Sequence, residues 1–507
     1  MTATHRIVSG STAAWASILV STAAQVGLVP IYLSHWDASY YGIWLAVLAV
    51  PGILVVVTSA YQEFVGYEFL KIGGRDLGSL SKLFWSTVPL SFALGFLELV
   101  FVGVLVVSGG ISFLLGQTST AHELVVEVEL VVMLVVGVWT IFGTIGTLLV
   151  YVLAPLGYYP QMAWWGVFSR ATTTLAPTIA VIYGAGIQGA GITLVVVSIL
   201  SNIFMLYYIQ RILRAVGFGF QPPAFSVGVR ALWTAQLLVL TKLFETGRAA
   251  GVRLVLLPLA GAVNLAAFAT LRTVANVVIQ GLSTVTGPLL PELMRVLKDR
   301  DQPRTEAAFA TIWVVLVVVL APAMVVLQVV IEPLFSIWTR GQIVFDPALF
   351  GILSISVLVF AWSQPAIAII KGNNLLKPQL AVSGIAAGIV LGGMLILVPL
   401  FGILGAGMAL LAAELFAAYR FYIVAVDWFN MQGMIWPRHS ARLAGYSVWI
   451  AVFSISILVG LPDCNNIVVV LLAFVLFGIN VFFYWRSVPA FARQRLAALV
   501  GKRLSST

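Results

Sequence analysis

Charge is scarce in this 507-residue chain. Asp, Glu, Lys and Arg together make up 9% of it, against about 25% in a soluble globular protein. That shortage excludes a chain with an ordinary solvated surface. Apolar residues reach 61% and mean hydropathy is +1.06. A membrane span needs roughly 20 apolar residues, so the chain reads as a polytopic integral membrane protein with little left over for a soluble domain. Cysteine occurs once, at Cys464, which rules out an intramolecular disulfide. Histidine occurs only at His5, His35, His122 and His439, scattered and not at metal-ligand spacing, so no metal site is expected. There is no P-loop, nucleophile elbow or paired-carboxylate loop, and Gly73-Gly74 reads as a loop. Neither a cofactor nor an enzyme is expected. The net charge of +9 does not imply nucleic acid, because membrane topology accounts for it.

Apolar runs separated by Gly, Pro and charge clusters predict an all-α integral membrane fold of fourteen transmembrane helices. The expected spans are 10–33, 40–62, 83–108, 126–151, 161–184, 189–210, 231–260, 263–290, 306–331, 347–370, 378–400, 403–427, 441–461 and 466–486. The first is too long for a secretory h-region and is expected to stay as a helix. With the N-terminus inside, twenty of the 27 Lys and Arg fall in cytoplasmic segments, from Arg6 to the tail holding Arg486, Arg493, Arg495, Lys502 and Arg503. Only Arg340 falls outside. That bias sets the orientation, both termini cytoplasmic. The outside loops are short, the longest being near 109–125 and 332–346, which leaves little room for an external active site.

The chain also repeats. Spans one to three begin about 224 residues before spans seven to nine. Glu68-Phe69-Leu70-Lys71-Ile72 follows span two, and Glu292-Leu293-Met294-Arg295-Val296 follows span eight. Span six opens with Gly186-Ile187-Gln188-Gly189-Ala190-Gly191, and span twelve with Gly402-Ile403-Leu404-Gly405-Ala406-Gly407. Six helices separate the copies, so the repeats are parallel and substrate is expected where two halves meet. The expected domains are an N-lobe at 1–222, a C-lobe at 223–430, and an appendage of two helices with a basic tail at 431–507.

Six cations remain inside spans: Arg170, Lys242, Arg248, Arg253, Arg272 and Arg420. A charge at the bilayer centre costs roughly 2.5–3.5 kcal/mol, so six facing lipid would cost on the order of 15–20 kcal/mol, more than a typical fold is worth. They must be paired or line a polar cavity. Lys242, Glu245, Arg248 and Arg253 share one span. Lys242 and Arg253, eleven residues apart, fall on one face of a regular helix, with Glu245 and Arg248 beside it. A self-neutralising Lys242–Glu245–Arg248 cluster is the structural alternative. Arg170 sits beside Thr172, Thr173 and Thr174, and Arg272 has no obvious acid on its own helix. Arg420 lies near a cytoplasmic end and is expected to snorkel. The acids inside spans are Glu98, Glu245 and Glu414, each a candidate for ion coupling or for charge pairing. Six cations against three acids leave positive charge that suits an anionic passenger. Prolines such as Pro51, Pro177 and Pro258 are expected to bend spans.

Several motifs together carry a family resemblance. They are Tyr41-Gly42-Ile43-Trp44, Arg253-Leu254-Val255-Leu256, Ala267-Phe268-Ala269-Thr270-Leu271-Arg272, Pro288-Leu289-Leu290-Pro291-Glu292-Leu293, and the two Gly-Ile-x-Gly-Ala-Gly openings. Over about residues 10–430 the chain resembles the polysaccharide-unit (Wzx-type) flippases of the multidrug/oligosaccharidyl-lipid/polysaccharide exporter superfamily. The family often has an acid just before the span-seven Arg; here Val252 stands there. The resemblance implies transfer of an undecaprenyl-pyrophosphate-linked oligosaccharide from the inner to the outer leaflet of a bacterial inner membrane. The product would feed a surface polysaccharide such as O-antigen, lipopolysaccharide or exopolysaccharide. The expected cationic cavity comprises Arg170, Lys242, Arg248, Arg253 and Arg272. Expected partners are the anionic lipid-linked oligosaccharide, membrane lipids, H+ or Na+ as coupling ion, and polysaccharide polymerase machinery. The competing readings are a drug or cation exporter of the same superfamily, a major facilitator, an envelope glycosyltransferase or polymerase, and a non-transporting scaffold.

Overall fold

The computed structural model describes residues 3–115, 122–461 and 464–489. The basic tail residues Arg493, Arg495, Lys502 and Arg503, and the centre of the outside loop near 109–125, lie outside the described residues. Among those described, the chain is all helical, with no strand. It divides into two compact units, 1–269 and 270–507.

The first unit contains α1 (Ala3–His35), α2 (Ala38–Leu54), α3 (Val56–Ile72), α4 (Leu77–Val107), α5 (Gly110–Leu114), α6 (His122–Val138), α7 (Thr144–Leu153), α8 (Tyr159–Ile182), α9 (Ile187–Val216), α10 (Phe225–Thr246) and α11 (Val252–Ala260). The second unit begins within α12 (Ala262–Lys298). It continues through α13 (Gln302–Val315), α14 (Ala321–Trp338), α15 (Pro347–Gly372), α16 (Leu376–Phe401), α17 (Ile403–Met431), α18 (Arg438–Gly460) and α19 (Asn466–Ser487). Short π turns at Trp139–Gly143, Gly247–Gly251 and Leu316–Leu320 join α6 to α7, α10 to α11 and α13 to α14.

Every expected span is helical, but not all are equally apolar. Twelve helices among the described residues are long and apolar enough to cross a membrane. A thirteenth forms if α2 and α3 are taken together across a 49° bend. The bend lies at Val55, four residues after Pro51. The fourteenth expected span is α8. It has 24 residues but is not apolar enough to count, because Gln161, Ser169, Arg170, Thr172, Thr173 and Thr174 fall within it.

The two Gly-Ile-x-Gly-Ala-Gly openings have a packing role. A Cβ on Gly191 would collide with Val131 of α6, and one on Gly407 would meet Leu349 of α15 at 2.8 Å. Small residues let membrane helices approach closely, and each motif does so between the fourth and sixth helices of its set. The starts of α4 and α13 are also alike. Asp76 caps α4 by accepting from Ser79 N at 3.0 Å, and Asp301 caps α13 by accepting from Arg304 N at 3.1 Å. α4 then grips the 217–224 connection: Ser81 and Trp85 donate to the Gly219 carbonyl, and Ala224 N donates to Ser86 Oγ at 2.9 Å. In the second unit Gln302, at the start of α13, exchanges hydrogen bonds of 2.6 and 3.1 Å with the backbone of Ile435.

The expected lobe boundary lies at 222/223, whereas the packing of the chain divides it at 269/270. The reason is α10, which packs on α3 and α4, and α11, which packs on α2. Tyr61 of the α3 core, fully buried, donates to the Gly228 carbonyl at 3.2 Å.

Candidate functional site

The polar face of α8 opens onto a cavity of about 750 Å³ within the first unit. Its walls come from the α2–α3 bend (Pro51, Gly52, Val55), the π turn and α7 (Trp139, Gly143, Thr147, Tyr151), α8 (Trp165, Ser169, Arg170, Thr173) and α9 (Ser198, Asn202). Two irregularities of the backbone, the bend and the π turn, thus meet at one cavity. Irregular backbone at membrane depth is tolerated where it lines a cavity or is buried in protein, and π turns concentrate at functional sites.

Arg170 is the cation of this cavity. One guanidinium nitrogen donates to Ser21 Oγ of α1 at 2.7 Å, and among the described residues no carboxylate pairs with it. Among the described residues, no acidic one lines the cavity. Thr173 and Asn202 satisfy themselves locally, donating to the Ser169 and Ser198 carbonyls at 2.7 Å each. The Trp139 ring nitrogen is buried with no partner among the described residues. The arrangement is an aromatic and aliphatic cavity with a fixed positive charge.

The other expected site residues lie elsewhere. Lys242 forms an ion pair with Glu63 of α3 at 3.1 Å, and Glu63 also accepts from Tyr67 at 2.9 Å. Arg253, on α11, lies near the buried Tyr41 of α2. Lys242 and Arg253 therefore address different neighbours, contrary to the expectation of one shared face. The π turn at Gly247–Gly251 inserts about one extra residue between them, rotating the register by roughly 100°. Arg248 lies in that turn. Arg248, Glu245, Arg272 and Glu414 are each engaged by neighbours, and Arg272 belongs to the second unit. Arg420 is exposed, as a snorkelling side chain would be. Of the five expected cavity cations, Arg170 is the one that lines this cavity.

Glu98 is not in an ion pair. Its carboxylate, 8% exposed, accepts from Thr58 N at 3.0 Å and Thr58 Oγ1 at 2.9 Å, while its second oxygen is buried without a partner among the described residues. Thr58 stands in the first turn of α3, so Glu98 caps the helix start created by the bend. Glu63, Trp139 and Ser21 were missed in the sequence. Glu63 sits one residue past the end of the expected span 40–62, and Trp139 and Ser21 carry no local signal. Among the described residues no group of His, Cys, Asp and Glu could hold a metal ion.

Fold and site together define a multi-pass helical membrane protein with a cationic cavity. No family model and no curated protein matches the chain. Solved structures do. The lipid II flippase MurJ, in an inward closed conformation, is 12% identical with a TM-score of 0.63, covering 94% of this chain and 98% of that one. An inward-facing multidrug resistance transporter of the MATE family, in the MOP superfamily, is 12% identical with a TM-score of 0.58, covering 81% of this chain and 95% of that one. A MOP superfamily transporter from Pyrococcus furiosus is 14% identical with a TM-score of 0.50, covering 84% and 94%. The fold is the one these transporters share.

Proposed function

We propose that the chain is a flippase of the MOP superfamily that moves an undecaprenyl-pyrophosphate-linked oligosaccharide from the cytoplasmic to the outer leaflet of a bacterial inner membrane by alternating access. The observation that carries this reading is the cavity beside α8, with the Arg170 guanidinium and no acid in its wall. A pyrophosphate is the anion that a guanidinium engages with two parallel hydrogen bonds, and the aromatic walls suit sugar faces. The remaining cations, Lys242, Arg248, Arg253 and Arg272, are assigned to later stations of the passenger, and Glu98 to ion coupling. The fold supports the reading, since a lipid II flippase and multidrug transporters share it. A drug or cation exporter is disfavoured because such a passenger calls for an acidic wall. For the Pyrococcus furiosus transporter, reversed polarity of the binding pocket has likewise been taken to suggest a different function.

The test is genetic and chemical. Deleting the gene should trap lipid-linked oligosaccharide on the cytoplasmic leaflet and remove a surface glycan. Wild type should restore export, and Arg170→Glu should insert normally yet lower export by about 10-fold or more, the value of a charge-assisted contact of 1.5–3 kcal/mol. Normal surface glycan with no trapped intermediate would refute the substrate, and full export by Arg170→Glu would refute the site.

A further inference from the structure

The second unit holds a smaller pocket, about 220 Å³, at the start of α18. It shares no residue with the Arg170 cavity. Arg438 and Arg442 line it, four residues apart on one helix face, with Trp362 and Tyr422 behind them. The back wall is rigid. Trp362 and Tyr422 stack at 5.7 Å, and the Trp362 ring N–H donates to the Ala441 carbonyl at 3.0 Å. No acidic residue lines the pocket, and among the described residues neither guanidinium has an ion pair or side-chain hydrogen bond. Both side chains are exposed, and an anion placed between them would relieve the mutual repulsion of two adjacent cations. The volume falls below the ~300–1,000 Å³ of pockets that enclose a whole drug-sized ligand, so the group it holds is a small headgroup.

The face continues beyond the pocket. Tyr446 is 56% exposed, Trp449 71% and Phe453 68%, and all three follow Arg438 and Arg442 at helical spacing. From Arg438 to Phe453 the stripe runs about 22 Å, most of the ~30 Å hydrocarbon thickness. On the orientation expected from the basic loops, the cations sit at the cytoplasmic headgroup level and the aromatic stripe runs inward among acyl chains. Basic pockets between helices on that side suit phosphorylated headgroups.

We propose that Arg438 and Arg442, with the Tyr446–Trp449–Phe453 stripe, form a binding site for an anionic glycerophospholipid of the cytoplasmic leaflet. The phosphate bridges the two guanidiniums and an acyl chain lies along the stripe. The bound lipid neutralises the pocket and fastens α18 to α15 and α17.

The full-length chain in neutral detergent tests this by thermal unfolding with added phosphatidylglycerol, phosphatidylcholine or inorganic pyrophosphate. Phosphatidylglycerol should raise the midpoint and phosphatidylcholine should not. Arg438→Gln/Arg442→Gln should weaken the phosphatidylglycerol effect about 30-fold in apparent affinity, from about 1 kcal/mol per basic residue. Equal stabilisation by both lipids, an unchanged response in the double variant, or full stabilisation by pyrophosphate alone would overturn the proposal. Should the double variant fail to fold, a photoactivatable phosphatidylglycerol on the wild-type chain decides. Labelling within 438–453 supports the site, and labelling confined to other segments overturns it.

Discussion

α8 and α16 hold the fifth place in their respective sets of helices, yet they differ along their whole length. α8 buries Pro160, Val167, Pro177, Thr178 and Val181, and turns Ser169, Arg170 and Thr173 toward a cavity. α16 carries one charge, Lys377 at its start, and buries Val382, Ala386, Ala387, Val390, Met394 and Val398. It packs directly on α17, with small residues in contact. The 216 positions separating Gly186 from Gly402 bring Arg170 onto Ala386, which is 1% exposed. One copy has been kept as packing and the other turned into a wall for a polar space. The difference lies in polarity inside the span: α8 carries it to a cavity wall, and α16 carries no charge beyond its start.

The sharpest way to break the comparison is to exchange the two residues. Ala386→Arg should destabilise the protein by about 3 kcal/mol or more, because it places an unpaired charge in a closed interface. Arg170→Ala should leave thermal stability within about 1 kcal/mol while export falls. Unfolding in detergent beside an export assay reads both, and similar stability losses would erase the distinction. A smaller effect concerns Glu63 and Lys242. A double-mutant cycle with Glu63→Gln and Lys242→Gln should give a coupling of about 1 kcal/mol, as for polar pairs between membrane helices. A coupling of zero would mean that the ion pair does not hold α10 to α3.

The smallest effect is at the two caps. The Ser79 side chain, and then its backbone N–H, hold the Asp76 carboxyl below the usual carboxylate range. A carboxylate lowered on folding stabilises the fold above its ordinary range, and that contribution is lost as pH falls through the depressed value. Asp76→Asn should therefore lower stability slightly at neutral pH, leave it unchanged at acid pH, and so remove a small acid-side slope from the stability profile. The same change at Asp301 is the comparison in the second unit.

Much of the architecture could be read from periodicity and charge, because membrane spans must be long and apolar and basic loops are sorted by side. Arg170 was legible for the same reason: a cation in the middle of a span demands an explanation. Its cavity was less so, since the walls depend on the 49° bend at Val55 and the π turn at Trp139–Gly143. Pro51 announces the bend, but Trp139-Thr140-Ile141-Phe142-Gly143 has nothing in its composition that announces a π turn. The error at Lys242 and Arg253 has the same origin. A helical wheel assumes an unbroken ladder, and the π turn at Gly247–Gly251 moves every later side chain by a step. Glu63 was overlooked because it lies just past the expected end of its span, although it contributes the partner of Lys242.

The grip of α4 on residues 217–224 has a mechanical consequence. Three side chains, Ser81, Trp85 and Ser86, tie that segment down, so the connection from α9 to α10 behaves as a strap and not as a hinge. Helix bending concentrates where the hydrogen-bond ladder is already interrupted. Between Phe225 and Ala260 those places are the π turn at Gly247–Gly251 and Pro258. The slack of the π turn is a single residue long, and Arg248 lies within it.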